Sequence, residues 1–145
     1  VFSMSNIEEM LEKKGVYVGK TAGNSMEPML REGRDRVVIV KPKFPLKKYD
    51  VPLYRRNNHF TLHRIVKVTK NGYVICGDNR FDMERDITDK DIIGVLSGFY
   101  RGEKFFSCSD KEYLSYARRV CRTRFFRHLR AYIKKRLAGI GKRNT

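Results

Sequence analysis

The chain has 145 residues, of which 41% are hydrophobic and 33% are charged, and it carries a formal net charge of +16. This length allows one domain that buries roughly two-thirds of the surface of its unfolded chain. Global disorder is excluded because the aromatic and β-branched content is ordinary, and the low mean hydropathy comes from the many Lys and Arg residues. We therefore predict a globular protein with a basic surface.

The three cysteines, Cys76, Cys108 and Cys121, form no CxxC pair, and no His lies at ligand spacing from them. The pattern favours neither a zinc site nor a closed disulfide framework, and it indicates a reducing compartment. The apolar runs are far shorter than the ~20 residues of a membrane-spanning helix, and the start does not resemble a secretory signal. We expect no transmembrane segment, no cofactor, and a cytoplasmic protein or one bound peripherally to a membrane.

The first predicted element is a short helix over about residues 6–14. Ser5 and Glu8 have the spacing of a capping box, the apolar residues that follow share one face, and Gly15 is the stop signal.

Six segments with strand composition follow the helix. Asn57-Asn58 and Asn71-Gly72 separate consecutive segments, which predicts hairpins in an antiparallel meander. The expected class is mainly β (α+β). The segments are rich in Val, Ile, Tyr and Phe and are bounded by turn residues: 16–18, 36–40, 51–55, 60–68, 73–76 and 92–100.

The last predicted element is a long basic amphipathic helix from about Lys111 to near Gly139. Residues 111–145 contain 12 Lys or Arg and the single acid Glu112. We therefore divide the chain into a β domain, 1–107, and a basic helical tail, 108–145. The apolar residues of this helix are predicted to form one stripe: Tyr113, Ala117, Cys121, Phe125, Leu129, Tyr132 and Ile133.

A basic amphipathic helix has three interpretations: it lies on an anionic membrane, it binds a nucleic-acid backbone, or it packs its apolar stripe on its own domain. We favour the membrane, where each basic residue near the surface contributes about 1 kcal/mol. Nucleic acid is less favoured because nothing in the chain matches a base-reading fold. The predicted membrane contacts are Arg118, Arg122, Phe125, Phe126, Arg130 and Lys134.

Three separate segments supply the residue types of a serine nucleophile, its base and an orienting acid. These are Ser25, between Gly23 and Pro28, then His63, then Asp78 in a Gly-Asp-Asn turn. A serine hydroxyl needs a neighbouring base, and the base works best when a third group fixes its tautomer. Each residue alone has a simpler interpretation, as a turn-capping hydroxyl, a histidine on the polar face of a strand, and an acid in a solvated turn.

Alternatives remain for the acid and for the base. Asp82 and Glu84 are substitutes for Asp78 as the acid that assists His63. Should His63 point away from Ser25, the alternative bases are lysines: Lys47, Lys48 and, less favoured, Lys67.

The joint pattern of Gly-x-Ser-Met-x-Pro, Leu-His-Arg and Gly-Asp-Asn resembles the signal peptidase I family and its relatives, the self-cleaving repressors of the LexA type. The likeness spans roughly residues 20–99, and His63-Arg64 is similar to the branch that uses histidine rather than lysine as base. The resemblance implies an antiparallel β catalytic fold, Ser25 as nucleophile, His63 as base and Asp78 as its assistant. It matches a second acid, less closely, to Glu84.

Two features of the chain depart from the resemblance. Gly23 stands where many signal peptidases carry a Ser that lines the oxyanion hole, so we assign that role to the Ser25 backbone N–H, helped by the Asn24 side chain. No segment resembles the family's transmembrane anchor.

We predict a serine endopeptidase that cleaves a peptide or a precursor protein close to a membrane. The resemblance implies that the extended substrate binds by strand addition. The alternative is a non-catalytic peptide- or membrane-binding module of the same fold. A self-cleaving repressor is less favoured, because no helix-turn-helix and no lysine base match.

Overall fold

The structure is a computed structural model, and it describes residues 4–141. The predicted α+β class is confirmed: in the described residues a short helix precedes nine antiparallel strands in two sheets, and a long helix follows them. The elements are α1 (Met4–Lys14), β1 (Val16–Lys20), β2 (Asp35–Val40), β3 (Pro52–Arg56), β4 (His59–Leu62), β5 (Arg64–Thr69), β6 (Gly72–Cys76), β7 (Glu84–Ile87), β8 (Ile92–Arg101), β9 (Lys104–Ser107) and α2 (Lys111–Gly141).

The first sheet is organised around β8, the longest strand. Its order is β1-β2-β8-β3-β4, and β9 also pairs with β8. Alternate residues of β8 are buried, as expected for a strand with one face on the core. The hairpin predicted at Asn57-Asn58 is confirmed, because β3 pairs with β4 and both Asn residues have positive φ, 46° and 64°, as a type I′ turn requires.

The second sheet has the order β5-β6-β7. The prediction of one strand over 60–68 is wrong, because this segment forms two strands, β4 and β5, that belong to different sheets. The chain leaves the first sheet after Leu62 and enters the second at Arg64, so that His63 lies between the two sheets. The sequence did not show the break because half-buried strands flank it on both sides. The predictions also missed β7, which is mostly polar, and the short β9.

Among the residues that the structure describes, two clusters of buried side chains form the core. The larger one joins α1, through Ile7 and Leu11, to the first sheet. The smaller one lies beside the second sheet and includes Tyr54 and Ile65. α1 begins at Met4, two residues before the prediction, and the capping side chain predicted at Ser5 lies outside the described side chains.

The long helix α2 begins as predicted and extends to Gly141. Its first half packs on the β domain, with Ala117 and Val120 buried, so the packed unit continues past the boundary we placed at residue 107. Within the described part of the chain, no helix combines the length and the apolar character needed to cross a bilayer.

Candidate active site

Ser25 lies in the loop between β1 and β2, and hydrogen bonds fix this loop at both ends. Gly23, with φ of 76°, donates its N–H to Glu32 Oε2 at 2.8 Å. Asn24 O accepts the N–H of Glu27 at 3.1 Å, which closes a turn around the serine. Glycine suits this start of the loop because other residues rarely adopt positive φ. The sequence therefore presents Ser25 on a tight, anchored turn.

Gly77 brings the three predicted segments together. A Cβ added to Gly77 would lie 2.6 Å from Ser25 O and 3.2 Å from His63 Cδ2, so both groups lie against the same glycine. Asn79 N–H donates to Ser25 O at 2.8 Å and continues this contact. A side chain at residue 77 would clash with the Ser25 backbone and press on the imidazole. The Gly-Asp-Asn segment thus positions the Ser25 loop beside His63.

The hydroxyl and the backbone N–H of Ser25 make no hydrogen bond with any residue in the described range 4–141, His63 included. In unliganded enzymes the nucleophile-to-base bond often forms only when substrate arrives. The unused N–H is a suitable donor for an oxyanion. The Asn24 side chain accepts from Arg80 through Oδ1 at 3.2 Å, which leaves its NH₂ group as the donor for the predicted oxyanion role.

The tautomer of His63 is set by Tyr54 and Glu84. Tyr54 donates its only hydroxyl hydrogen to Glu84 Oε1 at 2.7 Å. The Tyr54 oxygen lies 3.1 Å from His63 Nδ1 and therefore accepts a hydrogen from it; Glu84 Oε1, an acceptor only, lies 3.5 Å from the same nitrogen. Both contacts place the proton on Nδ1. Nε2 is then the basic nitrogen, which is the tautomer a general base for serine needs.

Burial lowers the pKa of His63 below its ordinary value, and the positive charge of Arg80 acts in the same direction. The Glu84 carboxylate opposes these effects and raises the pKa of His63. The imidazole is thus neutral and able to accept a proton near pH 7. Burial and the hydrogen bond to Glu84 raise the pKa of Tyr54, so its hydroxyl stays protonated.

Asp78 does not occupy the position that we predicted for it. Both of its carboxylate oxygens accept from Arg64, each at 2.8 Å, and Oδ2 also accepts from Tyr116 at 3.0 Å. The carboxylate at His63 Nδ1 is instead Glu84, our substitute. Asp78 acts on His63 only through its charge, which raises the pKa of the imidazole and is a smaller contribution than that of Glu84.

Arg64 and Asp78 form a fully buried ion pair that joins several elements. The guanidinium also donates to Tyr49 O and Tyr113 Oη, each at 3.0 Å, and lies 3.2 Å from Met29 Sδ. Arg64, the Arg of the His-Arg motif, therefore ties Asp78 of the Gly-Asp-Asn segment to Tyr113 of α2. The Arg64 side chain points into the protein interior, whereas the adjacent His63 lies beside the Ser25 loop.

The remaining candidates in this region are exposed. Asp82 has a solvent-facing side chain, and its backbone carbonyl accepts from the Cys76 thiol at 3.2 Å. Lys47, Lys48 and Lys67 are exposed as well. A lysine acts as a base at neutral pH when burial or a neighbouring cation lowers its pKa, so exposed lysines suit this role poorly.

Ser25 is among the residues that line an apolar groove of about 670 Å³. The groove lies between residues 20–23, which continue the edge strand β1, and residues 58–62 at the opposite edge strand β4. Its floor reaches the larger core cluster. The apolar lining comprises Ile7, Tyr17, Met26, Leu30, Val37, Ile39, Leu53, Phe60 and Leu62.

Arg80→Gln is expected to move the acidic limb of the pH profile for Ser25 acylation to higher pH. The substitution removes a positive charge that lowers the pKa of His63, so the imidazole becomes protonated, and inactive as a base, at a higher pH. Acylation rates across pH at low and high salt would measure this, and the shift should shrink at high salt because Arg80 is exposed. Arg85→Gln, an exposed charge on β7, is the control. An unchanged or opposite shift would contradict the electrostatic role of Arg80.

Comparison of the chain with protein-family models and with curated proteins finds no match.

Proposed function

We propose that this protein is a serine endopeptidase similar to the histidine-type signal peptidases. The observation that carries the proposal is the position of His63. Its ring lies beside the Ser25 loop at Gly77, while Tyr54 and Glu84 hold the proton on Nδ1. A solvated histidine without a chemical task would not need a buried tyrosine and a carboxylate to fix its tautomer.

In the proposed reaction, Ser25 Oγ attacks the scissile carbonyl carbon and passes its proton to His63 Nε2. The Ser25 N–H, with the Asn24 amide, stabilises the negative oxygen of the tetrahedral intermediate. His63 then delivers the proton to the leaving amine as the C–N bond breaks, which leaves an acyl ester on Ser25. Water, activated by His63, hydrolyses that ester and restores the free hydroxyl.

The groove supports an extended peptide as substrate. Edge strands present unpaired backbone N–H and C=O groups, and an added strand satisfies them. Residues 20–23 and 58–62 line the groove together with Ser25. A peptide bound between them would bring its scissile bond to the nucleophile with side chains directed into the apolar floor.

Intact-mass analysis with a serine-acylating probe, a β-lactone, tests the proposal. We expect one adduct on Ser25, none in Ser25→Ala, and a rate at least a hundredfold lower in His63→Ala, because a general base contributes about that much. Ser109→Ala, which removes an exposed hydroxyl elsewhere, should be acylated like the wild type.

An adduct that survives Ser25→Ala would contradict the assignment of the nucleophile. No adduct on protein that is folded by circular dichroism would favour the alternative, a non-catalytic module that holds a peptide in the same groove.

A further inference from the structure

The apolar residues of α2 face two opposite directions. Ala117 is fully buried whereas Phe126, nine residues later, is 63% exposed; Val120 and Leu129 repeat this contrast at 6% and 42%. Nine residues make about two and a half helical turns, so each pair points to opposite sides. The half of α2 that packs on the domain and the half that follows it therefore present their apolar faces in opposite directions.

This geometry corrects the single stripe predicted from the sequence. The stripe used steps of four residues from Tyr113 to Leu129, and each step advances about 40° around a helix of 3.6 residues per turn. Over these four steps the stripe therefore winds through about 160°. Because of this winding, early members such as Ala117 pack on the domain, whereas Leu129 faces away from it on a straight helix.

The second half of α2 has a continuous apolar face directed away from the domain, which we call the outward face. It occupies an arc of about 120° on the helix. Arg118 and Arg122 lie on the same side, about two turns and one turn before it, respectively. All members are exposed in the structure: Phe125, Phe126, Leu129, Ile133, Leu137 and Ile140.

The other two residues that we predicted to contact a membrane lie differently. Arg130 lies about 20° beyond the edge of the outward face, whereas Lys134 lies about 60° beyond the same edge. Arg136 falls within the arc, but its guanidinium turns aside to donate to Tyr132 Oη at 3.0 Å.

The charge around the outward face is of one sign. The sequence contains no Asp or Glu after Glu112. A second copy of the helix is disfavoured because it would bring like charges together. A nucleic acid is disfavoured because it would contact the basic side and leave the six large apolar side chains in water. An anionic lipid surface satisfies both features, because apolar side chains enter the acyl boundary while Arg and Lys meet the headgroups.

We propose that the outward face of α2 binds the interface of an anionic phospholipid bilayer. Contacts with residues 77–80, which lie against the Ser25 loop, hold the helix beside the site: Arg124 donates to Gly77 O at 3.2 Å and to Arg80 O at 2.8 Å, and Arg127 donates to Asp78 O at 2.9 Å. Lipid binding thus holds the groove at a set position near the bilayer. The binding itself does not depend on the proposed catalytic activity.

Co-sedimentation of the full chain with vesicles tests this. We expect it to sediment with equimolar phosphatidylcholine and phosphatidylglycerol, weakly with phosphatidylcholine alone, and less as salt is raised. Phe125→Ser/Leu129→Ser should weaken binding about thirtyfold through lost apolar contact, and Arg118→Gln/Arg122→Gln should weaken it to a similar degree on the anionic vesicles. Ser25→Ala should bind like the wild type, which separates this test from that of the peptidase.

Matched controls come from the exposed surface of the β domain. Phe44→Ser/Val68→Ser removes two exposed apolar side chains, and Lys70→Gln/Lys90→Gln removes two exposed charges. Both should bind like the wild type. If these controls weaken binding as much as the α2 variants, or if the α2 variants bind normally, the outward face is not the lipid site. Self-association without lipid that disappears in Phe125→Ser/Leu129→Ser would assign the face to a second copy instead.

Discussion

Glu84→Gln is expected to slow the acylation of Ser25 by about a hundredfold to ten-thousandfold. With a carboxylate at residue 84, Tyr54 donates to it and accepts from His63 Nδ1. A glutamine amide can instead donate to the Tyr54 oxygen, so that the Tyr54 hydrogen turns toward Nδ1. The proton of the imidazole then resides on Nε2, which is the wrong tautomer for a base that must accept from serine.

The pH profile distinguishes this effect from simple misfolding. Glu84 raises the pKa of His63, so its loss should move the acidic limb to lower pH even as the maximal rate falls. Asp86→Asn is a suitable control because it removes a charge from an exposed residue of the same strand, at positive φ, which Asn tolerates. Acylation of Glu84→Gln at the wild-type rate would exclude Glu84 as the positioning residue.

Asp78→Asn is expected to lower the free energy of unfolding by about 3–5 kcal/mol. The substitution leaves the Arg64 guanidinium buried with no opposite charge, because both oxygens of Asp78 contact Arg64 and neither residue is exposed. Removing one partner of such a pair costs much more than the pair itself contributes. Urea unfolding followed by circular dichroism would measure it, since the chain has no tryptophan for fluorescence.

Two further variants sharpen the test of Asp78. Asp82→Asn, an exposed acid four residues away, should change stability by less than about 0.5 kcal/mol. Arg64→Gln/Asp78→Asn should recover part of the loss, because no buried charge remains unpaired. If Asp78→Asn unfolds like the wild type but no longer becomes acylated, Asp78 acts on the imidazole, as we first predicted from the sequence.

The sequence predicted the elements more completely than the site. Strands β1, β2, β3, β6 and β8 follow from alternating or apolar runs, and the hairpin follows from Asn57-Asn58. The polar strand β7 carries no such signal, so the sequence favoured Asp78 and left Glu84 as its substitute. The contacts of Glu84 with Tyr54 and His63 depend on the β6–β7 pairing, which only tertiary structure creates.

Tyr54 shows a different limit of sequence reasoning. A tyrosine in an apolar strand is ordinarily a core residue, and Tyr54 is indeed fully buried. Nothing in its local sequence says that its hydroxyl reaches a histidine nine residues away and an acid thirty residues away. Asp78 shows the same limit. The sequence could not show that Arg64, the residue after His63, would donate to both oxygens of the Asp78 carboxylate.

His63 separates strands β4 and β5, so the proposed catalytic residues meet at the boundary between the two sheets. Ser25 and Tyr54 belong to the first sheet and its loops, whereas Glu84 belongs to the second. His63 is the single residue that connects β4 to β5 across this boundary. Neither sheet holds all of the proposed catalytic residues, so we expect that a fragment or a graft that carries only one sheet would not be acylated, however well it folded.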